Sequence, residues 1–488
     1  MSNFIKEITK KEPDFYKNKI TSLFKYLTET KDKFHKERLL SLGSVLGAFC
    51  GDSMGSYYEF KLGSDVLYDS LKLFEVTNPI FQTLPGQFTD DSELAMSSAY
   101  GILDSNGDYN NNKVAYYNGL WLLSGPFDVG ITTRNSVVAV RDFKIYEKIK
   151  PEYYNWVKTA EIIKENFLYF PNNVYSDAMS KCSVEKNADS LSNGFLMKKT
   201  PISIFSLNFL KSSISDKDEC HIKNMEAFEK INILDCNLTH PHGLANDISI
   251  IYSLIITRII FFKNRDFQDK DIIENVLNYL KTYVTNLIEK IVNLVLEKFK
   301  NYDLDSKSSE VPILKAKLHY FTDLLLQIEK GESKIILEGQ FLNLMGYFAK
   351  AFYLVFYYLH KLKDSDINTI DYYEIMKEII NRGGDTDTNC AIVGGVLGIF
   401  YGPVYLKEDK RGLFDYIINC DATTSKKERP LIYSPGMALF FMYAFYKIRE
   451  RDLNKNVEVL SETSLPVSAA VIACLLTVSD INEVIFDL

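Results

Sequence analysis

The chain has 488 residues, of which 46% are apolar and 25% charged, and these proportions exclude a disordered or low-complexity protein. The 64 acidic side chains outnumber the 56 basic ones and give a formal charge of -8, so a general nucleic-acid-binding surface is not expected. Seven scattered cysteines form no CxxC pair, and the first 40 residues contain no signal-peptide pattern. We therefore expect free thiols and a cytoplasmic protein, with access to the nucleus left open.

The opening segment, residues 1–40, is polar and rich in lysine, and we interpret it as a helical extension of the main body. Residues 41–488 are predicted to form one all-α domain. Apolar residues recur there at three- and four-residue steps, as one face of an amphipathic helix requires, and the strict alternation typical of strands is scarce. The clearest helical stretches are 272–299, 342–362 and 436–449.

Three apolar stretches are long enough to be considered as membrane spans, and charges or glycines interrupt each one. Residues 248–262 contain Arg258, residues 344–359 contain Lys350, and residues 390–406 contain Gly394, Gly395 and Gly398. None reaches the roughly 20 uninterrupted apolar residues of a transmembrane helix. We expect buried core helices and no membrane partner.

The first carboxylate of interest, Glu59, lies between Tyr58 and Phe60. It follows a small-residue helix predicted over 42–49, in which glycines permit close packing. Burial beside aromatic rings would raise the pKa of Glu59 and suit it to proton transfer. A solvent-exposed loop glutamate is the alternative, and the local pattern leaves both open.

The second acidic place is the segment Thr89, Asp90 and Asp91, which follows a Pro-Gly break and precedes an apolar helical run. Its position predicts a helix N-terminus, where an aspartate commonly caps the backbone. One aspartate suffices for a cap, so two adjacent aspartates beside a threonine also indicate a candidate functional site.

The third acidic place contains Asp385, Asp387 and Thr388 after two glycines, with an apolar helix predicted over 390–401. Oxygen ligands on alternate residues of a turn suit a hard cation such as Mg²⁺, although a turn with a helix cap has the same pattern. If this turn folded against Asp90 and Asp91, two Mg²⁺ ions would neutralise the four aspartates, which would otherwise repel one another.

Six segments resemble the ADP-ribosylglycohydrolase family, the ADP-ribosyl-acceptor hydrolases, in the order in which that family has them. They are GAFCGDSMGSYYEF (47–60), GQFTDDSELAM (86–96), SGPFDVGITT (124–133), LSNGFLMKKTP (191–201), LTHPHGLANDI (238–248) and GGDTDTNCAIVGGVLGIFYG (383–402). The first segment is most similar to the branch that acts on serine-linked and polymeric ADP-ribose. Beyond a minimal family domain, the chain has an enlarged helical region at about 265–340 and an extended part after residue 403.

The resemblance implies an all-α orthogonal helix bundle with a binuclear metal cleft holding two Mg²⁺ ions, with Mn²⁺ as a substitute. Carried over by position, the implied metal ligands are Thr89, Asp90, Asp91, Asp385, Asp387 and Thr388.

Other matching positions would contact the substrate or take part in catalysis. Glu59 falls where the serine- and polymer-directed branch has its catalytic or gating glutamate. The resemblance implies that Gly130 and the loop of Ser192, Asn193 and Gly194 lie against the diphosphate or the ribose. His240 would lie near the substrate, and a hydrogen-bonded core histidine is the alternative.

The family implies a metal-dependent hydrolase that cleaves the C1″ linkage of ADP-ribose to an acceptor. Asp90 or Asp91 would orient the water, and Glu59 would donate or relay a proton. The expected partner is an ADP-ribosylated protein or another ADP-ribose conjugate, bound by a monomer without nucleic acid. Two alternatives remain open: a catalytically silent ADP-ribose-binding or structural protein, and a metal-dependent phosphohydrolase.

Overall fold

A computed structural model describes most of the chain, and about three quarters of the described residues are helical. The described residues are 15–62, 81–105, 108–141, 173–211, 221–300, 310–331, 348–365, 367–408, 411–426 and 428–454.

The helices in chain order are α1 (Phe15–Glu29), α2 (His35–Ser56), α3 (Asp90–Leu103), α4 (Asn111–Leu123), α5 (Ile131–Arg141), α6 (Val174–Asn187), α7 (Thr200–Phe205), α8 (Met225–Asn237), α9 (Gly243–Lys263), α10 (Asp269–Lys300), α11 (Glu310–Lys330), α12 (Phe348–Asp364), α13 (Tyr372–Ile380), α14 (Thr386–Lys407), α15 (Leu413–Ile418) and α16 (Met437–Asn454). Within the described residues, four two-residue strands form two antiparallel pairs: β1 (Lys61–Leu62) with β4 (Gly383–Gly384), and β2 (Leu210–Lys211) with β3 (His221–Ile222).

The all-α prediction is confirmed, and the clearest periodic stretches are helices. The stretch 272–299 lies within α10, and 436–449 corresponds to α16. The stretch 342–362 corresponds to α12, and its first six residues lie outside the described part. The periodicity succeeds in these places because each helix buries an apolar stripe against the common core.

Two predicted helix boundaries near the acidic segments are wrong. The helix expected to end at residue 49 continues through two more glycines to Ser56, so Asp52 lies inside α2 rather than in a loop. The helix expected from residue 390 already begins at Thr386. Tertiary packing overrides the low helix propensity of glycine and of capping residues in both cases.

The packing of α2 against α14 explains why α2 tolerates its glycines. A Cβ atom added at Gly47 would lie 2.3 Å from the carbonyl oxygen of Gly394, and one added at Gly55 would lie 2.4 Å from that of Thr386. Both distances are shorter than van der Waals contact, so only glycine allows the two backbones to touch. This close approach brings the C-terminal half of α2 against the N-terminus of α14.

The β1–β4 pair fixes the segment after Glu59 beside the third acidic turn. Lys61 pairs with Gly384, and the backbone N–H of Phe60 donates to the carbonyl oxygen of Gly384 at 2.8 Å. Gly383 and Gly384 have φ values of 72° and 80°, a left-handed conformation that favours glycine. The two glycines therefore let the chain reverse directly before Asp385.

The peripheral parts of the chain also pack onto the body. Helix α1 packs against α16, where the rings of Tyr26 and Tyr443 meet edge to face at 5.2 Å. Residues 1–14 of the predicted extension lie outside the described part. In the region at about 265–340, α10 and α11 pack against each other.

Two of the described helices are long and apolar enough to cross a membrane by length and composition. They are α9 and α14, and 89% and 78% of their most apolar windows are buried inside the protein. Burial of this extent is what core helices show, so the two windows are weak support for a membrane span.

Candidate metal centre and cleft

Asp52 joins the C-terminal half of α2 to the start of α3. Its carboxylate accepts hydrogen bonds from the backbone N–H and the hydroxyl of Thr89, at 3.1 and 2.8 Å, and from the same two groups of Ser92, at 3.1 and 2.5 Å. Asp52 thus caps α3 from another helix, a task that a residue at the helix start usually performs. Asp52 had no predicted role, because the helix predicted over 42–49 ends before it.

The two distant acidic turns meet directly. The hydroxyl of Thr388 donates to Oδ1 of Asp91 at 3.2 Å, and the hydroxyl of Thr89 lies 3.3 Å from Oδ2 of Asp387. Thr388 follows Asp387 in the first turn of α14, so each helix start sends a threonine hydroxyl to the other helix's aspartate. The juxtaposition on which the metal interpretation depends is therefore present in the structure.

The carboxylates form two groups that share Asp387. One oxygen from each of Asp52, Asp91 and Asp387 lies within 4.8 Å of the others, and the same holds for Glu59, Asp385 and Asp387. These distances are short enough for one cation to be shared within each group. Both groups contain only oxygen donors, which suit Mg²⁺ or Mn²⁺.

Burial makes this cluster costly when it carries its full negative charge. Glu59 is 4% exposed and Asp91 2% exposed, which excludes the exposed-loop alternative for Glu59. Burial, followed by the charge of neighbouring aspartates, raises the pKa of Glu59, Asp91 and Asp387 well above the ordinary carboxyl value.

Asp90 and Asp52 belong to the same electrostatic group. Burial, followed by the charges of Asp128 and Asp52, raises the pKa of Asp90 well above its ordinary value. Burial also raises the pKa of Asp52 to about 6, against the opposing effect of its hydrogen bonds from Thr89 and Ser92.

Two carboxylate oxygens in the cluster are without a hydrogen-bond partner in the described part of the molecule, namely Oε2 of Glu59 and Oδ2 of Asp91. No lysine or arginine among the described residues forms an ion pair with any carboxylate of the two groups. Buried carboxylates are otherwise paired or bound to metal. The residues present therefore fit a divalent-cation centre.

The predicted substrate loop is anchored to this centre. The side-chain amide of Asn193 donates to Oδ2 of Asp385 at 2.9 Å, and Ser192 Oγ is hydrogen-bonded to Nε2 of His240 at 2.7 Å. Gly194 packs against the same imidazole, because a Cβ added there would lie 3.2 Å from Cε1 of His240. The structure thus brings the predicted loop, His240 and the third acidic turn together.

His240 is fully buried and hydrogen-bonded at both ring nitrogens, with Nδ1 at 2.8 Å from the hydroxyl of Thr239. Burial, followed by the charge of Lys198, lowers the pKa of His240 to about 3. The two hydrogen bonds fix the orientation of the imidazole ring, and through Nε2 His240 orients Ser192.

Gly130 is exposed, and the space where its Cβ would lie is open. No contact in the described part joins it directly to the acidic cluster. Its neighbours do approach the site: Thr132 accepts a hydrogen bond from Ser192 Oγ at 3.2 Å, and the charge of Asp128 contributes to the raised pKa of Glu59. Asp128 was not among the predicted site residues, although it lies in the quoted segment 124–133.

The sequence also matches known proteins. The profile of the ADP-ribosylglycohydrolase family matches residues 34–416. A protein of Acanthamoeba polyphaga mimivirus, named as a candidate ADP-ribosyl glycohydrolase, is 27% identical in an alignment of 402 residues that covers 80% of this chain and 95% of that protein. A solved ADP-ribosylglycohydrolase-related protein complex contains a chain that is 15% identical, with a TM-score of 0.47, and the match covers 85% of this chain and 99% of that one. The chain belongs to the ADP-ribosylglycohydrolase family.

Proposed function

We propose that this protein is a Mg²⁺-dependent hydrolase that releases ADP-ribose from modified proteins or related conjugates by cleaving the C1″ linkage. Mn²⁺ can replace Mg²⁺ in this proposal. One observation carries the proposal: carboxylates from acidic turns almost 300 residues apart come within 4.8 Å of one another, and none has a cationic partner in the described part of the chain. Family membership supports the substrate class.

The residues proposed to hold two divalent ions come from both helix starts and from α2. They are Thr89, Asp90, Asp91, Asp385, Asp387 and Thr388, with Asp52 added because its oxygens lie in the first carboxylate group. A bound pair of divalent ions would supply Lewis acidity and a template for the ribose hydroxyls and the attacking water.

Carboxylates at the cleft supply the remaining chemistry of the proposal. Asp90 or Asp91 orients the water, since both lie in the first turn of α3. Glu59 holds or passes a proton at Oε2, an oxygen that no other described group engages. The negative charge around the anomeric carbon stabilises the oxocarbenium character that develops as the bond breaks.

The loop of Ser192, Asn193 and Gly194 is proposed to bind the ADP-ribose phosphates or ribose. Asn193 ties this loop to Asp385, and neutral His240 holds Ser192, so the loop has a fixed place beside the metal centre. Gly130, two residues before Thr132, has open space at its Cβ position and is proposed to lie against the diphosphate.

The test is a panel of ADP-ribosylated peptides that differ only in the linked side chain, together with polymeric ADP-ribose and O-acetyl-ADP-ribose. We expect release of intact ADP-ribose in the presence of Mg²⁺, and none after chelation. Serine-linked or polymeric substrates should react fastest, because residues 47–60 are most similar to the branch that acts on them. The double variant Asp385→Ala, Asp387→Ala should be inactive. The control D415N, at an exposed aspartate that belongs to neither carboxylate group, should match the wild type.

Absence of ADP-ribose release from every member of the panel would contradict the proposal. Binding of ADP-ribose by calorimetry without turnover would favour the silent alternative. Release of phosphate or AMP instead of ADP-ribose would favour a phosphohydrolase.

A further inference from the structure

Arg429 reaches the helix of the metal centre from outside the part of the chain that matches the family profile, which ends at residue 416. Its side chain is fully buried. Nε and Nη2 donate to the two carboxylate oxygens of Glu93 at 2.8 and 2.7 Å, a bidentate pairing across 336 residues of sequence. Glu93 lies in the first turn of α3, with Asp90 and Asp91.

The same guanidinium also holds the end of α4. Nη1 donates to the carbonyl oxygen of Ser124 at 2.8 Å, and Nη2 donates to its hydroxyl at 2.6 Å. Ser124 follows the last residue of α4 and begins the loop that leads through Asp128 to Gly130. Arg429 therefore contacts both the metal-bearing turn and the start of a predicted substrate loop.

Further bonds make the contact rigid. The indole N–H of Trp121, in the last turn of α4, donates to Oε2 of Glu93 at 2.7 Å. The hydroxyl of Tyr100, later in α3, donates to the carbonyl oxygen of Ile432 at 2.9 Å. Helix α3 is thus attached at two points to the segment around Arg429.

We infer that Arg429 is a positioning residue of the metal centre, which fixes the first turn of α3 and the start of the 125–130 loop relative to each other. This inference rests on the proposed function, because it assumes that the first turn of α3 holds divalent ions. Buried ion pairs contribute little net stability compared with apolar residues of similar volume, whereas they can specify one geometry. Residues that orient metal ligands typically change metal affinity 10–100-fold when they are altered.

The matched control is Arg38, the other fully buried arginine among the described residues that donates to a carboxylate and to backbone carbonyl oxygens. It donates to Oδ2 of Asp32 at 2.6 Å and to the carbonyl oxygens of Leu27 and Thr30 at 3.0 and 2.6 Å. These contacts tie α1 to α2 and include none of the acidic cluster. An Arg→Lys change loses the same planar fork at both sites.

The test is direct Mn²⁺ binding to the full chain, followed by the electron paramagnetic resonance of free Mn²⁺, with thermal unfolding measured in parallel. We expect R429K to bind Mn²⁺ at least about tenfold more weakly than the wild type. R38K should lose comparable thermal stability and bind Mn²⁺ within about twofold of the wild type, because distant sites act independently. A second variant, E93Q/R429M, removes both charges together and should also bind about tenfold more weakly, since methionine makes no bond to Ser124.

The outcomes separate this inference from the proposed function. A wild type that binds no Mn²⁺ would overturn the proposed function and the inference together. A wild type that binds Mn²⁺, with R429K and E93Q/R429M folded and binding equally well, would overturn the inference alone. Failure of both variants to fold, with R38K folded, would also overturn it. Arg429 would then be required for folding of the whole protein rather than for the geometry of the site.

Discussion

One turn of α3 contains two kinds of buried carboxylate. Glu93 is 1% exposed and is met by the guanidinium of Arg429 and the indole of Trp121. Asp91, two residues earlier and 2% exposed, has one oxygen without any hydrogen-bond partner in the described structure and no cationic side chain in contact. The chain thus supplies a cationic partner for Glu93 and none for Asp91 among the described residues, so Asp91 is the carboxylate of this turn that remains available to a divalent cation.

The largest expected effect comes from removing the carboxylate of Asp387, which the two carboxylate groups share. D387N should lower the rate of ADP-ribose release by about three orders of magnitude, because the loss of a ligand common to both groups removes several kcal/mol of transition-state stabilisation. The measurement is the Mg²⁺-dependent rate on the best substrate of the panel, beside the exposed control D415N. Equal rates for D387N and D415N would show that the cluster has no part in the reaction.

The next effect concerns Asp52, which serves both as a cap for α3 and as a member of the first group. D52A should weaken Mg²⁺ binding by about 10–100-fold, and D52N, which keeps one acceptor oxygen, by less. Isothermal titration of metal into each variant gives the comparison. If D52A bound Mg²⁺ as tightly as the wild type, Asp52 would be a cap alone.

A smaller effect is expected from Gly55, which allows α2 to lie against the N-terminus of α14. G55A places a methyl group 2.4 Å from the carbonyl oxygen of Thr386, so it should destabilise the fold by about 1–3 kcal/mol. G130A has open space for its methyl group and should change the free energy of unfolding by less than about 1 kcal/mol. Denaturant unfolding of both variants measures the difference, and equal stabilities would contradict the close α2–α14 packing.

The smallest effect is a pH dependence of metal stabilisation. The raised pKa values mean that the metal-free folded state binds protons that the unfolded chain releases, so its stability falls as pH rises through these values, about 6 for Asp52. Mg²⁺ must displace those protons, so the free energy by which Mg²⁺ stabilises the fold should increase from pH 5.5 to pH 6.5, by about 1 kcal/mol for each displaced proton. The measurement is the Mg²⁺-induced rise in melting temperature at each pH.

The titration of His240 does not change the difference between the melting curves with and without Mg²⁺. Its lowered pKa makes the fold less stable as pH falls below the ordinary histidine range, with and without Mg²⁺ alike. The difference between the two melting curves therefore reports the acidic cluster. A Mg²⁺-induced shift that is constant or decreases with pH would contradict the raised carboxyl pKa values.

The sequence predicted those features of the site that have a local pattern. The helix start at Thr89 could be predicted because capping residues stand directly before an apolar run, whereas the helix after Asp385 begins four residues earlier than the apolar run at residue 390 predicted. The all-α fold followed from periodicity in the same way. The proximity of the two turns came from charge balance and from the family resemblance, because no local pattern encodes a distance between residues almost 300 positions apart.

Other features depend on tertiary packing and had no usable local signal. Gly51 suggested the end of a helix, whereas contact with α14 keeps α2 helical past Asp52. The bond between Arg429 and Glu93 joins residues 336 positions apart, and a lone arginine beside Pro430 resembles an ordinary surface residue. Arg429 becomes buried only because the segment after residue 416 packs against α3.

The most direct test of the central claim is anomalous diffraction from crystals of the full chain grown with Mn²⁺. We predict Mn²⁺ peaks within the cluster, one beside Asp91 and Asp387 and one on the side of Glu59 and Asp385. A crystal saturated with Mn²⁺ that shows no anomalous peak among these carboxylates would contradict the claim that they form a divalent-metal centre.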